Sequence, residues 1–212
     1  MGFWDFFLNL FKSDDSGPRG GDDDGLDPRA GRGTVPRGGG TSGGGSRSGG
    51  SRGGQSMSSQ GRDFLTELEG SRSQAYRDVR GLLTIGVGHL ITQSELSSGK
   101  IYIRGVPVKW RNGLSNRDID NLLAQDLERF NTAVNDAVTV NLRQYQFDSL
   151  VSFSFNVGPS AFRNSTLLKV LNQGNYNEVP NQFMRWVYSN GKKIPGLVHR
   201  RKREVKLWNG EI

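Results

Sequence analysis

The 212-residue chain is read outward from one stretch, Glu69-Gly-Ser-Arg-Ser-Gln-Ala-Tyr-Arg-Asp78-Val-Arg-Gly-Leu-Leu-Thr84-Ile-Gly-Val-Gly-His89. Phe64, Leu65 and Leu68 precede it at helical spacing, so Glu69 is expected at the end of a helix that Gly70 closes. Thr84 to His89 is too short and too rich in glycine for a helix. It reads as a strand of a small sheet. Asp78 and Thr84 then fall on the turn and the strand that follow the helix. A carboxyl group on a helix end, with another on a facing sheet, builds a cleft that holds two unlike acids.

Cleavage of a glycosidic bond requires such a pair. One carboxylic acid protonates the leaving oxygen while a second carboxylate serves the opposite face of the sugar. Their environments must differ so that one stays protonated and the other ionised. Glu69, flanked by apolar positions, is the better acid. Asp78 lies in the polar run Tyr76-Arg77-Asp78-Val79-Arg80, where neighbouring cations favour the carboxylate. Thr84 offers a hydroxyl that can hold a water beside Asp78. A Glu and an Asp this close are more often solvated surface charges, so the full pattern decides. Glu-Gly, Ala-Tyr-x-Asp and Gly-x-x-Thr-Ile-Gly-x-Gly-His, at these spacings, closely resemble the phage-type lysozymes (glycoside hydrolase family 24, phage endolysins). The resemblance implies that Glu69, Asp78 and Thr84 are the catalytic residues.

Composition divides the chain. The first sixty residues hold 17 of the 30 glycines, with seven basic and seven acidic residues. Residues 61–212 therefore carry the whole net charge of +7, as 21 (28 − 7) basic against 14 (21 − 7) acidic side chains. A basic surface favours polyanionic partners, among them nucleic acids, bacterial walls and membranes, and charge alone does not choose between them. There is no cysteine, so no disulfide is needed on either side of a membrane. With only two histidines, a transition-metal site is not expected. No cofactor is expected either.

Residues 1–12 form a short aromatic block in which Phe3, Phe6, Phe7, Leu10 and Phe11 share a helical face. The block is too short to span a bilayer and lacks the features of a secretory leader. Three readings stay open for it: an interfacial membrane helix, a plug for a partner protein such as a virion component, or a segment packed on its own domain. Residues 13–60 have the composition of a flexible tether, rich in Gly, Ser, Arg and Asp. Without aromatic residues for stacking, this stretch is not expected to bind nucleic acid specifically. The catalytic domain is placed at 61–212.

Within it, Ile101 to Trp110 alternates like a hairpin that adds to the small sheet. Ser115 and Asp118 form a capping box for one long amphipathic helix through Ile119, Leu127 and Val138. Residues 143–157 are apolar on several sides and read as a buried central helix ended by Gly158-Pro159. Further helices are expected over 160–173, 178–187 and 197–208. Phe-Asn-Val-Gly, Asn-Ser-Thr-Leu-Leu-Lys, Arg-Trp-Val-Tyr and Lys-Ile-Pro-Gly-Leu-Val-x-Arg-Arg look like the lambdoid endolysin branch, so the resemblance covers about residues 61–212. It implies an α+β, mainly helical lysozyme-like fold, with a small N-terminal β-sheet lobe and a larger helical lobe around a cleft.

His89 is expected to be a structural hydrogen-bonder rather than a base or ligand. Asn156 is either a ligand for an N-acetyl sugar or a helix C-cap, and with Leu90 it completes the candidate substrate-binding residues. Trp110, Trp186 and Trp208 are expected in the core. The run Arg200-Arg201-Lys202-Arg203 is expected to be a solvated face that meets wall or membrane anions. One of its arginines reaches the acid in relatives, and which one does so here is unassigned. The resemblance implies a monomeric muramidase that hydrolyses β-1,4 bonds of peptidoglycan, for host lysis or wall penetration. Its expected location is the host cytoplasm before release to the wall, or the virion. Two alternatives remain: a lytic transglycosylase, and a non-catalytic wall-binding or virion structural protein.

Overall fold

The computed structural model describes residues 54–78 and 81–212. The aromatic block at 1–12, and the stretch 13–60 as far as residue 53, lie outside the described residues. Helix α1 (Ser59–Glu69) starts where the Ser58 side chain accepts from the Gly61 amide, and it ends at Gly70, with φ at 76°. That glycine is the expected cap, and its amide donates to the Thr66 carbonyl. Packing begins earlier than residue 61. The Gln55 amide donates to Asn135 and the Met57 amide to Asn131, and Met57 itself is buried.

The small sheet is antiparallel: β1 (Arg72–Arg77), β2 (Leu83–Gly86) and β3 (His89–Leu90), in that order. Short helix α2 (Gln93–Ser98) follows, opened by a Thr92–Glu95 capping box. The hairpin of β4 (Ile101–Ile103) and β5 (Val106–Val108) then forms as a separate two-stranded sheet. It does not extend the first sheet as expected. Ile101 and Ile103 point into the core, and the Gln125 side chain takes the Arg104 amide and the Tyr102 carbonyl. The hairpin is thus docked on a helix instead of on a sheet edge.

That helix is α3 (Asn116–Asp126), capped by Ser115 and Asp118 as the sequence predicts. The long helix expected to continue from it is two, because α4 (Glu128–Ala137) restarts after Leu127. The Phe130 amide bonds to the Leu127 carbonyl, three residues back, which tightens the turn. Leu127 is fully buried, and the break lets both segments press apolar faces on the core.

Helix α5 (Gln144–Val157) is the centre of the molecule, and every residue from Phe147 to Val157 is buried. Gly158, with φ at 91°, and Pro159 end it, as expected. The helix expected over 160–173 is split into α6 (Pro159–Arg163) and α7 (Thr166–Asn172), because Ser165 caps the second with its hydroxyl. Helix α8 (Val179–Phe183) stops short of 187. A hairpin of β6 (Tyr188–Ser189) and β7 (Lys192–Lys193) follows it, turned by Asn190 and Gly191, both at positive φ. Asn-Gly is the dipeptide that such a turn requires. The last helix, α9 (Pro195–Asn209), packs along α5. Phe153 of α5 meets Phe183 and Trp186 edge-on, with both centroid distances 5.3 Å. Trp110 and Trp208 are buried, as the sequence predicts. No helix among the described residues is long and apolar enough to cross a membrane.

Helix α1 passes close to α5 at Gly61. A Cβ there would lie 2.7 Å from the carboxyl carbon of Asp148, which the Ser58 amide and hydroxyl hold in place. Gly→Ala inside a helix ordinarily stabilises. Here Gly61→Ala is expected to destabilise by about 1–3 kcal/mol, the cost of overpacking, in a denaturant titration.

Candidate active site

Glu69 is the last residue of α1 and is 6% exposed. Its Oε1 accepts from an Arg200 Nη1–H in a buried ion pair. Its Oε2 has no hydrogen-bond partner among the described residues. Burial penalises the charged form and outweighs the nearby Arg200 guanidinium, so the Glu69 pKa is raised to about 7. A carboxyl group with one free oxygen, about half of it still protonated, is therefore held at the helix end near neutral pH.

Two residues, Gly70 and Ser71, connect this acid to the sheet. In the β1–β2 ladder Tyr76 faces Thr84 and Arg77 faces Leu83. The Asp78 amide donates to the Leu82 carbonyl, and Asp78 Oδ1 accepts from the Leu82 amide, both at 2.8 Å. This exchange carries the ladder one pair further. Side chains alternate across a strand, so Asp78 and Thr84 share a face as diagonal neighbours. Leu90 pairs with Thr84 across β2 and β3 and lies on that face too, 38% exposed. Asp78 and Thr84 are both buried, and the Thr84 hydroxyl donates to the Leu82 carbonyl at 3.3 Å. The sheet thus brings Asp78, Thr84 and Leu90 to one surface.

Asn156 is buried on the last turn of α5, and its Oδ1 accepts from Arg201 Nη2–H. The Gly158 amide at the helix end bonds to the Ser154 carbonyl. The amide side chain is therefore held by an arginine, and its oxygen is committed to that contact.

The basic run on α9 departs from expectation. Arg200 and Arg201 are 1% and 0% exposed, so half of the run lies in the core. Arg200 is the arginine that reaches Glu69. Its Nε donates to Glu204 Oε1 at 3.0 Å and its Nη2 to the Ser152 carbonyl at 3.2 Å. Arg201 Nη1 donates to Glu204 Oε2 at 2.5 Å, with its guanidinium 4.8 Å over the Phe153 ring. Arg203 is half-buried and pairs with the exposed Glu67. Glu204 was not among the expected site residues. Its spacing from Arg200 and Arg201, at four and three residues, is the helical ion-pair signal that would have found it.

His89 makes structural bonds, its Nδ1 to Asp126 at 2.9 Å and its Nε2 to Glu95 at 3.3 Å. Burial lowers its pKa, but the Asp126 carboxylate, with Glu95 second, raises it above the usual value. The bonds clamp the sheet to α2 and α3. Among the described residues no three of His, Asp and Glu converge as metal ligands would.

Short antiparallel strands followed by a set of helices around a buried central one, with an acid at the end of the first helix just before the sheet, define a lysozyme-like α+β fold. The Phage lysozyme family model matches residues 66–204, and the chain belongs to that family. An endolysin of Salmonella phage P22 is 38% identical over 152 residues, covering 72% of this chain and 97% of that protein. A solved structure of a P22 lysozyme variant shares 35% identity with a TM-score of 0.62, over 73% of this chain and 99% of the other. An endolysin of Bacillus phage B103 is 36% identical over 154 residues, 72% of this chain and 53% of that protein. The chain thus spans about half the length of the Bacillus phage relatives it matches.

The raised Glu69 pKa has a consequence for stability. The folded protein holds this proton more tightly than the unfolded chain does. The stabilisation is therefore complete below the ordinary glutamate pKa and is lost as pH rises through about 7. Relative to Glu69→Gln, the native chain is expected to lose about 3 kcal/mol of unfolding free energy between about pH 4 and about pH 9. Paired denaturant titrations across that range measure it.

Proposed function

We propose that the chain is a muramidase that hydrolyses the β-1,4 bond between N-acetylmuramic acid and N-acetylglucosamine in peptidoglycan. The observation that carries this reading is Glu69, a buried carboxyl group with a pKa of about 7 and one unpartnered oxygen. Glu69 donates its proton to the glycosidic oxygen as the bond to the anomeric carbon breaks. Asp78 takes a proton from a water that the Thr84 hydroxyl helps to hold, and that water's oxygen bonds to the anomeric carbon from the opposite face. The products are a free reducing sugar and a free hydroxyl, with inversion at the anomeric carbon. Leu90 and Asn156 line the sugar site: Leu90 offers an apolar surface to the ring. Asn156, its oxygen already taken by Arg201, presents the amide N–H to an acetamido carbonyl. Membership of the phage lysozyme family supports the assignment, and relatives named endolysins support a role in host lysis.

Residues 61–212 form the catalytic domain, with 54–60 packed on it. Of the stretch 13–60, the part up to residue 53 is a tether, and residues 1–12 are an anchor for a membrane or a virion partner. The enzyme acts on the wall as a monomer, after release from the host cytoplasm or from the virion. Affinity of the full chain for anionic vesicles, compared with a chain lacking residues 1–12, tests the membrane form of the anchor.

The catalytic assignment is tested on purified wall by turbidity and by analysis of the reducing ends. Glu69→Gln is expected to bind wall and to lower clearing at least a hundredfold, and Asp78→Asn to lower it comparably. The native chain is expected to release free reducing muramic acid ends. Anhydro ends would make it a lytic transglycosylase, and full clearing by Glu69→Gln would remove Glu69 from its role.

A further inference from the structure

We infer that Glu204 is a positioning residue for the acid: by engaging both Arg200 and Arg201, it keeps these cations from holding Glu69 as a carboxylate. This rests on the reading of Glu69 as the general acid. The geometry is a chain of alternating charges, Glu69–Arg200–Glu204–Arg201, in which no member is more than 6% exposed. Each nitrogen of the Arg200 guanidinium goes to a different group: Nη1 to Glu69, Nε to Glu204 and Nη2 to Ser152. Glu204 receives three donors, from Arg200, Arg201 and the Ser152 hydroxyl at 2.9 Å. Both Glu204 oxygens are thus engaged by donors.

A guanidinium that faces Glu69 alone could grip both carboxylate oxygens side by side. Here Glu204 draws Arg200 Nε away, so Glu69 keeps a single bond and a free Oε2. Glu204 also offsets one of the two buried positive charges and repels a negative Glu69. Burial is then left free to hold the proton on the acid.

Several other charged groups on the elements around Glu69 have partners of their own. On α1, Glu67 pairs with Arg203, and Arg62 with Asp120 of α3. On α5, Asp148 is taken by Ser58 and Gln144. On the sheet side, Asp78 bonds the Leu82 amide and Arg77 the Gly81 carbonyl. Among the described residues the charges that act on Glu69 are Arg200, Glu204 and Arg201.

The experiment titrates Glu69 by carboxyl-carbon NMR in the full chain, with its resonance identified by Glu69→Gln, alongside the pH profile of wall clearing. Glu204→Gln keeps the shape and an acceptor for Arg201 but removes the charge. It is expected to lower the Glu69 pKa by about one unit or more. The alkaline limb of the clearing profile then moves the same way, and kcat falls about tenfold on that limb while KM holds. Arg201→Gln removes the second cation and is expected to move Glu69 and the limb in the opposite direction. Glu204→Asp retains the charge and restores the native limb. Opposite displacements in the two charge variants support the inference. A Glu69 titration that stays put, or moves the same way in both, overturns it. Should Glu204→Gln fail to fold, an upward displacement in Arg201→Gln supports the inference and its absence overturns it. Displacements seen by NMR in a native chain that clears no wall support the role of Glu204 and overturn the muramidase reading.

Discussion

The buried ion pair between Glu69 and Arg200 is the contact on which the arrangement of this molecule depends. Taking an arginine out of water costs several kcal/mol unless its donors are satisfied. That condition ties three elements together, because the partners of Arg200 come from the end of α1, from the middle of α5 and from α9 itself. The requirement shows in the composition of α5. Ser149, Ser152 and Ser154 stand among its phenylalanines. Ser149 and Ser152 bond the Glu204 carbonyl and carboxylate, and Ser152 also takes Arg200. Phe153 beside them gives the Arg201 guanidinium an aromatic face to rest on.

Glu69 and Asp78 are carried by different elements, Glu69 ending α1 and Asp78 following β1. Glu69 is brought into the dry interior by a helix end, where burial prevails over the cation beside it and the proton stays. The Asp78 Oδ1 accepts from the Leu82 amide. The clamp of His89 between Glu95 and Asp126 keeps the short sheet, and Asp78 with it, in register with the helices.

Much of this was legible in the residues. The helix that ends at Glu69 and Gly70, the Ser115–Asp118 cap, the buried central helix, the structural role of His89 and the motif that marks the family all follow from local spacing. Local spacing also misleads. The single helix expected through Leu127 is two, because a fully buried leucine marks where the chain bends round the core. The split at Ser165 and the Asn190-Gly191 turn had readable signals, a capping hydroxyl and a turn dipeptide, that apolar periodicity outweighed.

The sequence by itself determined the family and the order of the two lobes, and it placed Glu69 on a helix end with Asp78 and Thr84 on the sheet side, since each rests on residue types at short separations. Only the tertiary structure decided what the basic run on the last helix does. Four consecutive cations read as a solvated face. Yet Arg200 and Arg201 turn inward because Glu69, 131 residues away, and the serines of α5 supply partners that no local pattern contains. A buried charge is tolerated or expelled according to what surrounds it in space, and that is settled only when the helices meet.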